Sequence, residues 1–460
     1  MNGTRVFRVA ATSARVVTGV AVAVACVVGV VAAIHAPWPD VRHDPAQVEV
    51  TPLPGDTVLV CNGDLRALGR DSSAPLDMRS AASPSLTQAA DSGTPTTRTL
   101  DAPDLIDAGD VRVLTGAVEG RTAPMLAAAE SVSIAEEDLA GFAALACGEP
   151  RLESWLVGGS VGTGTEDIVI LTNAGEVPTT VTLSVYGTTR SSRTVVVPAG
   201  TQLALPLTSI AAGNEAPVVK VNAVGAPVRA VLQSSVVQVL DPAGIDLQDA
   251  VAGAQQNVVL TGVQAFPVEG DEADMTVLRL LSPDTDAQAR IVARASGSGA
   301  AATEFTVPLT ADTPADVSLS GLAPGAYTVE VEADAAVVAA VRQQDGSGLD
   351  SDFAWVTPAP EIDADVLVAV PEGPAAQLQL ANTGDEEATV SLEAVDGGDA
   401  EQIVVPAGES VSVDLESETT YRLRPTGTVH AAVTMTAAAE LAVLPVSPGA
   451  GAEQAITVYP

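Results

Sequence analysis

Gly158-Gly159-Ser160-Val161-Gly162 has the spacing of a nucleophile elbow, in which a serine on a sharp turn attacks an acyl carbon. That chemistry needs a strand before the serine, a helix after it, and an acid and a histidine downstream. Here a strand pattern follows Gly162, and the only downstream histidine is His430. The glycines are read as linkage between strands, and no catalytic residue is assigned. His35 and His43 lie far upstream, so histidine clusters cannot build a metal site. No P-loop, dinucleotide fingerprint or His-Glu-x-x-His pattern occurs, so the chain is expected to be a non-enzyme without cofactor.

Two acidic stretches could do other chemistry. Asp241-Pro242-Ala243-Gly244-Ile245-Asp246 and Asp345-Gly346-Ser347-Gly348-Leu349-Asp350-Ser351-Asp352 occupy equivalent places after the last strand of a repeat. Oxygen-rich loops between sandwich domains can hold Ca²⁺, with Asp241, Asp246, Asp345, Asp350 and Asp352 as ligands. Neither stretch follows the EF-hand order, so no metal is assigned. The recurring Gly-aliphatic-Asp is expected to shape the crossing between domains through an Asx turn. Sugar platforms need exposed aromatics, and these make up 3% of the chain. Trp155 and Trp355 fall at domain junctions and are expected to pack there.

The elements that must position these residues repeat. Residues 168–210, 277–319 and 378–415 carry related patterns, roughly 100 residues apart. A unit of that size can own a core, unlike a solenoid repeat. In the first copy, strands are expected at Trp155–Val157, Asp167–Thr172, Thr180–Tyr186, Arg193–Val197, Gln202–Leu207, Val218–Asn222 and Val228–Gln233. Seven short strands fit an immunoglobulin-like sandwich. Asn173-Ala174-Gly175 and Asn382-Thr383-Gly384 supply residues that tolerate positive φ. Tyr327 and Tyr421 stand where a tyrosine corner would pin a crossing loop, or are ordinary buried aromatics.

The fold class read from these patterns is all-β, with tandem immunoglobulin-like β-sandwich repeats after an N-terminal transmembrane helix. Repeats are drawn at 151–262, 263–360 and 361–460. Residues 56–150 are read as an irregular β domain. Within it, Thr57–Cys61, Val111–Thr115 and Met125–Ile134 read as strands, Glu136–Ala146 as a helix, and Arg70–Thr97 as a mobile loop. Cys61 and Cys147 are expected to form a disulfide in an oxidising compartment.

Residues 16–34 run without a charge and span roughly 28 Å as a helix, enough for a bilayer core. Arg5, Arg8 and Arg15 precede this run and acids follow it. That places 1–15 in the cytoplasm and the bulk outside, with a single pass through the cell membrane. Cleavage after Val31-Ala32-Ala33 would instead give a secreted protein. Residues 35–55, with five prolines, read as a stiff spacer. The formal net charge is −37 and Lys220 is the only lysine, which excludes nucleic acid as a partner.

Cys147-Gly148-Glu149-Pro150, then Glu153-Ser154-Trp155-Leu156-Val157-Gly158-Gly159, Leu171-Thr172-Asn173 and Val197-Pro198-Ala199-Gly200 resemble an actinobacterial family of single-pass secreted proteins, a domain of unknown function. The likeness covers most of 55–360 and departs at Cys61-Asn62-Gly63, where the family more often shows Cys-Pro-Gly. It implies no catalytic residues. Family genes often lie beside a large envelope glycosyltransferase, which implies a part in envelope glycan assembly. The expectation is an anchored extracytoplasmic rod, a scaffold for a partner such as that glycosyltransferase. The alternative is a module that binds cell-wall glycan.

Overall fold

The computed structural model describes residues 3–35, 48–50, 54–267, 275–448 and 456–458. Most of the expected spacer at 35–55 lies outside them. The chain forms two compact units, residues 1–52 with 454–460, and residues 53–453. In the first, Gly3–His35 is one helix, α1. Its stretch Val16–Ala33 is long and apolar enough for a membrane span or a signal sequence. Val48–Val50 pairs antiparallel with Ile456–Val458 in the same unit.

The second unit is built of β-strands apart from one helical turn, Thr208–Ala211. Its clearest repeat has eight strands: Glu153–Leu156, Thr165–Asn173, Thr179–Tyr186, Ser191–Val197, Thr201–Pro206, Val218–Val224, Arg229–Gln238 and Asp241–Asp249. Counted 1 to 8, they form one sheet in order 1-6-3-4 and another in order 5-2-7-8. Alternating residues make the sandwich core: Val181, Leu183 and Val185 from one sheet meet Val169, Leu171 and Leu232 from the other. The next two repeats have the same order. In the middle one, strands 6 and 7 are a single strand, Gly325–Gln344, that crosses from sheet to sheet. The first sandwich of this unit, within residues 57–146, keeps the plan without strands 4 and 5, as sheets 57–60/111–116/96–100 and 140–146/126–135/85–90.

Each repeat signature has a local cause. Asn173 donates its side-chain amide to the carbonyls of Val177 and Val197 and accepts from Gly175 N. Asn382 repeats this set with Glu386, Val405 and Gly384. One asparagine thus fastens two turns in each repeat. The Tyr327 hydroxyl donates to Ala323 O at 2.7 Å, and that of Tyr421 accepts from Glu416 N at 2.9 Å. Both tie a crossing loop to the strand that follows.

The four sandwiches do not form a rod. Their eighth strands, β1 (Ala140–Ala146), β2 (Asp241–Asp249), β3 (Phe353–Val356) and β4 (Glu440–Pro445), lie side by side, each packed on the next and β4 on β1. The ring closes through the first and last sandwiches, since Phe142 and Ala129 belong to the same core as Val368, Leu378 and Met435. A rod was expected because repeats in sequence order suggest a line. Apolar surface on both faces of the eighth strands bends that line into a ring.

The same burial overturns three local readings. Glu136–Ala146 is no helix, because 140–146 is strand β1. Phe142, Ala143, Ala144 and Leu145 are all buried, so a strand covered on both faces lost its alternation and mimicked helical spacing. Arg70–Thr97 contains the strands Met78–Ala82 and Ser85–Ala90 rather than one loop. Asp241–Asp249 is a strand, not an acidic loop. A boundary at 262/263 would also cut the strand Gln255–Ala265, so the middle sandwich begins at Gln255.

Cys61 and Cys147 form a disulfide with S–S 2.03 Å across a separation of 86 residues. It joins the end of the first strand to the residue after β1, where Cys147 N also donates to Ala128 O. Replacing both cysteines by serine should cost about 2–5 kcal/mol in the first sandwich. A lowered denaturant midpoint by circular dichroism, matched by the parent protein under reducing conditions, is the expected outcome.

Candidate functional site

The inner bundle of β1 to β4 organises everything that could act as a site. At its start, the Asp352 carboxylate accepts four backbone N–H bonds. Oδ1 takes Ile245 N at 2.9 Å and Phe353 N at 3.0 Å. Oδ2 takes Phe142 N at 2.9 Å and Leu441 N at 3.0 Å. One donor comes from each inner strand. Burial pushes the Asp352 pKa well above the usual aspartate range, and the four N–H donors pull the other way. Four donors fill the acceptor capacity of an ionised carboxylate, whereas a protonated one would point its own hydrogen at a donor.

Sequence cleared the space for this carboxylate. Gly141 (φ 140°) and Gly244 (φ 114°) precede the donors Phe142 and Ile245. A Cβ on either would lie 2.7 Å or 2.6 Å from Asp352 Oδ1. Asp345 extends the tie, accepting from Asp352 N at 2.7 Å and from Ala439 N at 2.9 Å. The five aspartates weighed as Ca²⁺ candidates lie in different settings. Asp352 and Asp345 hold backbone, Asp246 accepts from Trp355 N at 2.9 Å, Asp350 is exposed, and Asp241 opens β2. The single cluster with metal-ligand spacing among the described residues is Cys61, Glu130 and Cys147, whose sulfurs are spent in the disulfide. Glu130 instead accepts from Asn62 N at 2.7 Å and Gly63 N at 3.0 Å, shaping the Cys61-Asn62-Gly63 turn.

Trp155 and Trp355 are buried in one cluster between the two middle sandwiches, with Tyr186, Val338 and Phe353. Arg279 crosses the same junction. It donates to Gly159 O at 2.7 Å, pairs with Asp316, and lies over the Trp355 ring at 5.1 Å. Ser160 sits in this neighbourhood as a turn residue: its N–H bonds Asp167 and its Oγ accepts from Gly162 N. His430 is buried elsewhere, with Nδ1 2.7 Å from Ala359 O. Ser160 and His430 are not brought together by any contact among the described residues.

Residues 106–426 match the model of a family of unknown function, DUF5719. The chain belongs to that family. No curated protein matches the chain. The match begins later and ends later than 55–360, reaching through the sixth strand of the last sandwich. The DUF5719 region thus takes in strands of all four sandwiches.

Two ends of the bundle in this DUF5719 protein are open. Where the strands finish, a cleft of about 860 Å³ is lined by Arg151, Asp249, Glu361 and His430 among others, and Pro448 lies at its edge. Where they start, a second cleft of about 860 Å³ lies among the hairpin turns. There Val239 takes φ 62°, a region that costs a β-branched residue about 1–2 kcal/mol.

Two predictions follow from the buried carboxylates. Asp352→Ala would leave four buried N–H groups without an acceptor and should cost on the order of 4 kcal/mol, read from the thermal or urea midpoint. Asp246 is pushed up to about 7 and Asp167 to about 6, each chiefly by burial. The folded state therefore holds protons that the unfolded chain has released, so stability falls as pH rises from about 4 towards 7. The melting temperature should be higher at pH 5 than at pH 8, and Asp246→Asn should narrow that gap.

Proposed function

We propose that this protein is a membrane-anchored, extracytoplasmic accessory protein of the cell envelope, a non-catalytic platform on which a partner protein assembles. The observation that carries this reading is the pairing, in one chain, of an N-terminal apolar helix with a disulfide-stapled, acidic β body. A buried disulfide suits the oxidising side of the membrane. Arg5, Arg8 and Arg15 before the apolar run favour a cytoplasmic N-terminus. Retention of α1 makes the protein single-pass; cleavage near Ala33 would release it.

A membrane glycosyltransferase of the envelope is the partner class that the family likeness suggests. The second reading, binding of cell-wall glycan, draws on the cleft at the finishing end of the bundle. Arg151, Asp249 and Glu361 could bond sugar hydroxyls there. Trp155 and Trp355 are spent in a junction, and among the described residues no Trp, Tyr or Phe lines that cleft. Stacking of sugar rings has no platform among the described residues of the cleft, which favours the accessory reading.

Affinity purification from crosslinked envelopes separates the two, with residues 45–460 alone as the comparison. The expected outcome is recovery of a membrane glycosyltransferase with the intact protein only. Recovery of wall glycan by the soluble fragment, with no protein partner, would sink the platform reading.

A further inference from the structure

The starting end of the inner bundle carries a choice of residues that the fold does not reward. Gln238 and Asp241 close a hairpin whose two-residue turn is Val239-Leu240. Such turns favour glycine or asparagine where φ is positive. Here valine takes that position, and Val239 and Leu240 are 96% and 82% exposed. Leu349, 62% exposed, lines the same cleft as Leu240. Two large apolar side chains on a strained tip gain nothing from their own protein, so their contribution is to contacts outside it.

The chemistry around them specifies the occupant. Glu136, Glu137, Asp241, Asp350 and Glu440 line the cleft, and no lysine or arginine does among the described residues. We propose that this end docks a cationic amphipathic segment of a partner protein. Apolar side chains of that segment cover Leu240 and Leu349, and its lysines or arginines meet the carboxylate rim. An anionic lipid surface would be repelled by the same rim. Acidic groups occur over the whole chain, so charge alone would attract a cation anywhere; the apolar tip fixes the place. The inference rests on the platform reading and names the kind of partner.

The test uses the full-length protein in phosphatidylcholine nanodiscs. The probe is a fluorescein-labelled peptide of alternating leucine and lysine, with a leucine–glutamate peptide as comparison. The lysine peptide is expected to bind by anisotropy. Val239→Asn with Leu240→Gly, which changes no charge and restores ordinary turn residues, should weaken it at least tenfold. Leu349→Ser, on a separate loop, should weaken it severalfold and keeps the test decisive should the hairpin variant misfold. Glu136→Gln with Glu137→Gln should flatten the salt dependence.

No binding by the parent protein, equal binding by the apolar variants, or equal binding of the glutamate peptide would overturn the proposal. Phosphatidylglycerol vesicles that bind the parent but not the hairpin variant would also overturn it, by assigning the end to lipid. The crosslinking experiment distinguishes the failures. A hairpin variant that still recovers the glycosyltransferase leaves the platform standing and removes only this surface.

Discussion

One carboxylate holds four sandwiches in register. Each inner strand offers a backbone N–H, and those four donors converge on one point inside the bundle. A buried N–H left unpaired costs about as much as a lost hydrogen bond, so closing the bundle demands an acceptor at its centre. Asp352 is that acceptor. The glycines at 141 and 244 let it in, and Asp345 holds the loop that delivers it.

Around this centre the junctions are tied by side chains that imitate backbone. Gln233 accepts from Arg66 N at 2.9 Å and donates to Arg66 O at 2.6 Å, as a paired strand would. Arg229 donates to Ala146 O at 2.6 Å at the end of β1. Arg66, Arg229, Arg279 and Arg342 are all drawn inwards, and burial lowers the pKa of Arg66, Arg229 and Arg342. Acids are drawn inwards as well, Glu130, Asp167, Asp246 and Asp352 among them, so the junctions bury both signs of charge.

Strand patterns were legible wherever one face of a strand met a core and the other met water. Val181, Leu183 and Val185 announce their strand because Thr180, Thr182 and Ser184 stand between them. All seven strands expected for that repeat are present within a few residues. Phe142-Ala143-Ala144-Leu145 could not be read the same way, because both of its faces are covered. Its second cover comes from sandwiches encoded far along the chain. The same holds for Asp352: an acid flanked by Ser351 and Phe353 reads as a loop residue beside a strand. Nothing local shows that donors from residues 142, 245 and 441 converge on it. The disulfide was legible from cysteine count and compartment, whereas the ring was not, since closure is written only in which surfaces are apolar twice.

That closure has a consequence for how the protein is made. The first sandwich shares its core with the last: Phe142 packs with Met435, and Ser131 donates to Glu372 O across 241 residues of sequence. A chain emerging from its N-terminus must therefore wait, with β1 half-covered, until nearly the last strand has crossed. Such distant contacts make folding slow and prolong exposure of apolar surface. Completion of the ring is thus a length check built into the architecture. A product truncated before Glu440 lacks one wall of the central bundle and leaves a sticky face that a chaperone or protease can recognise.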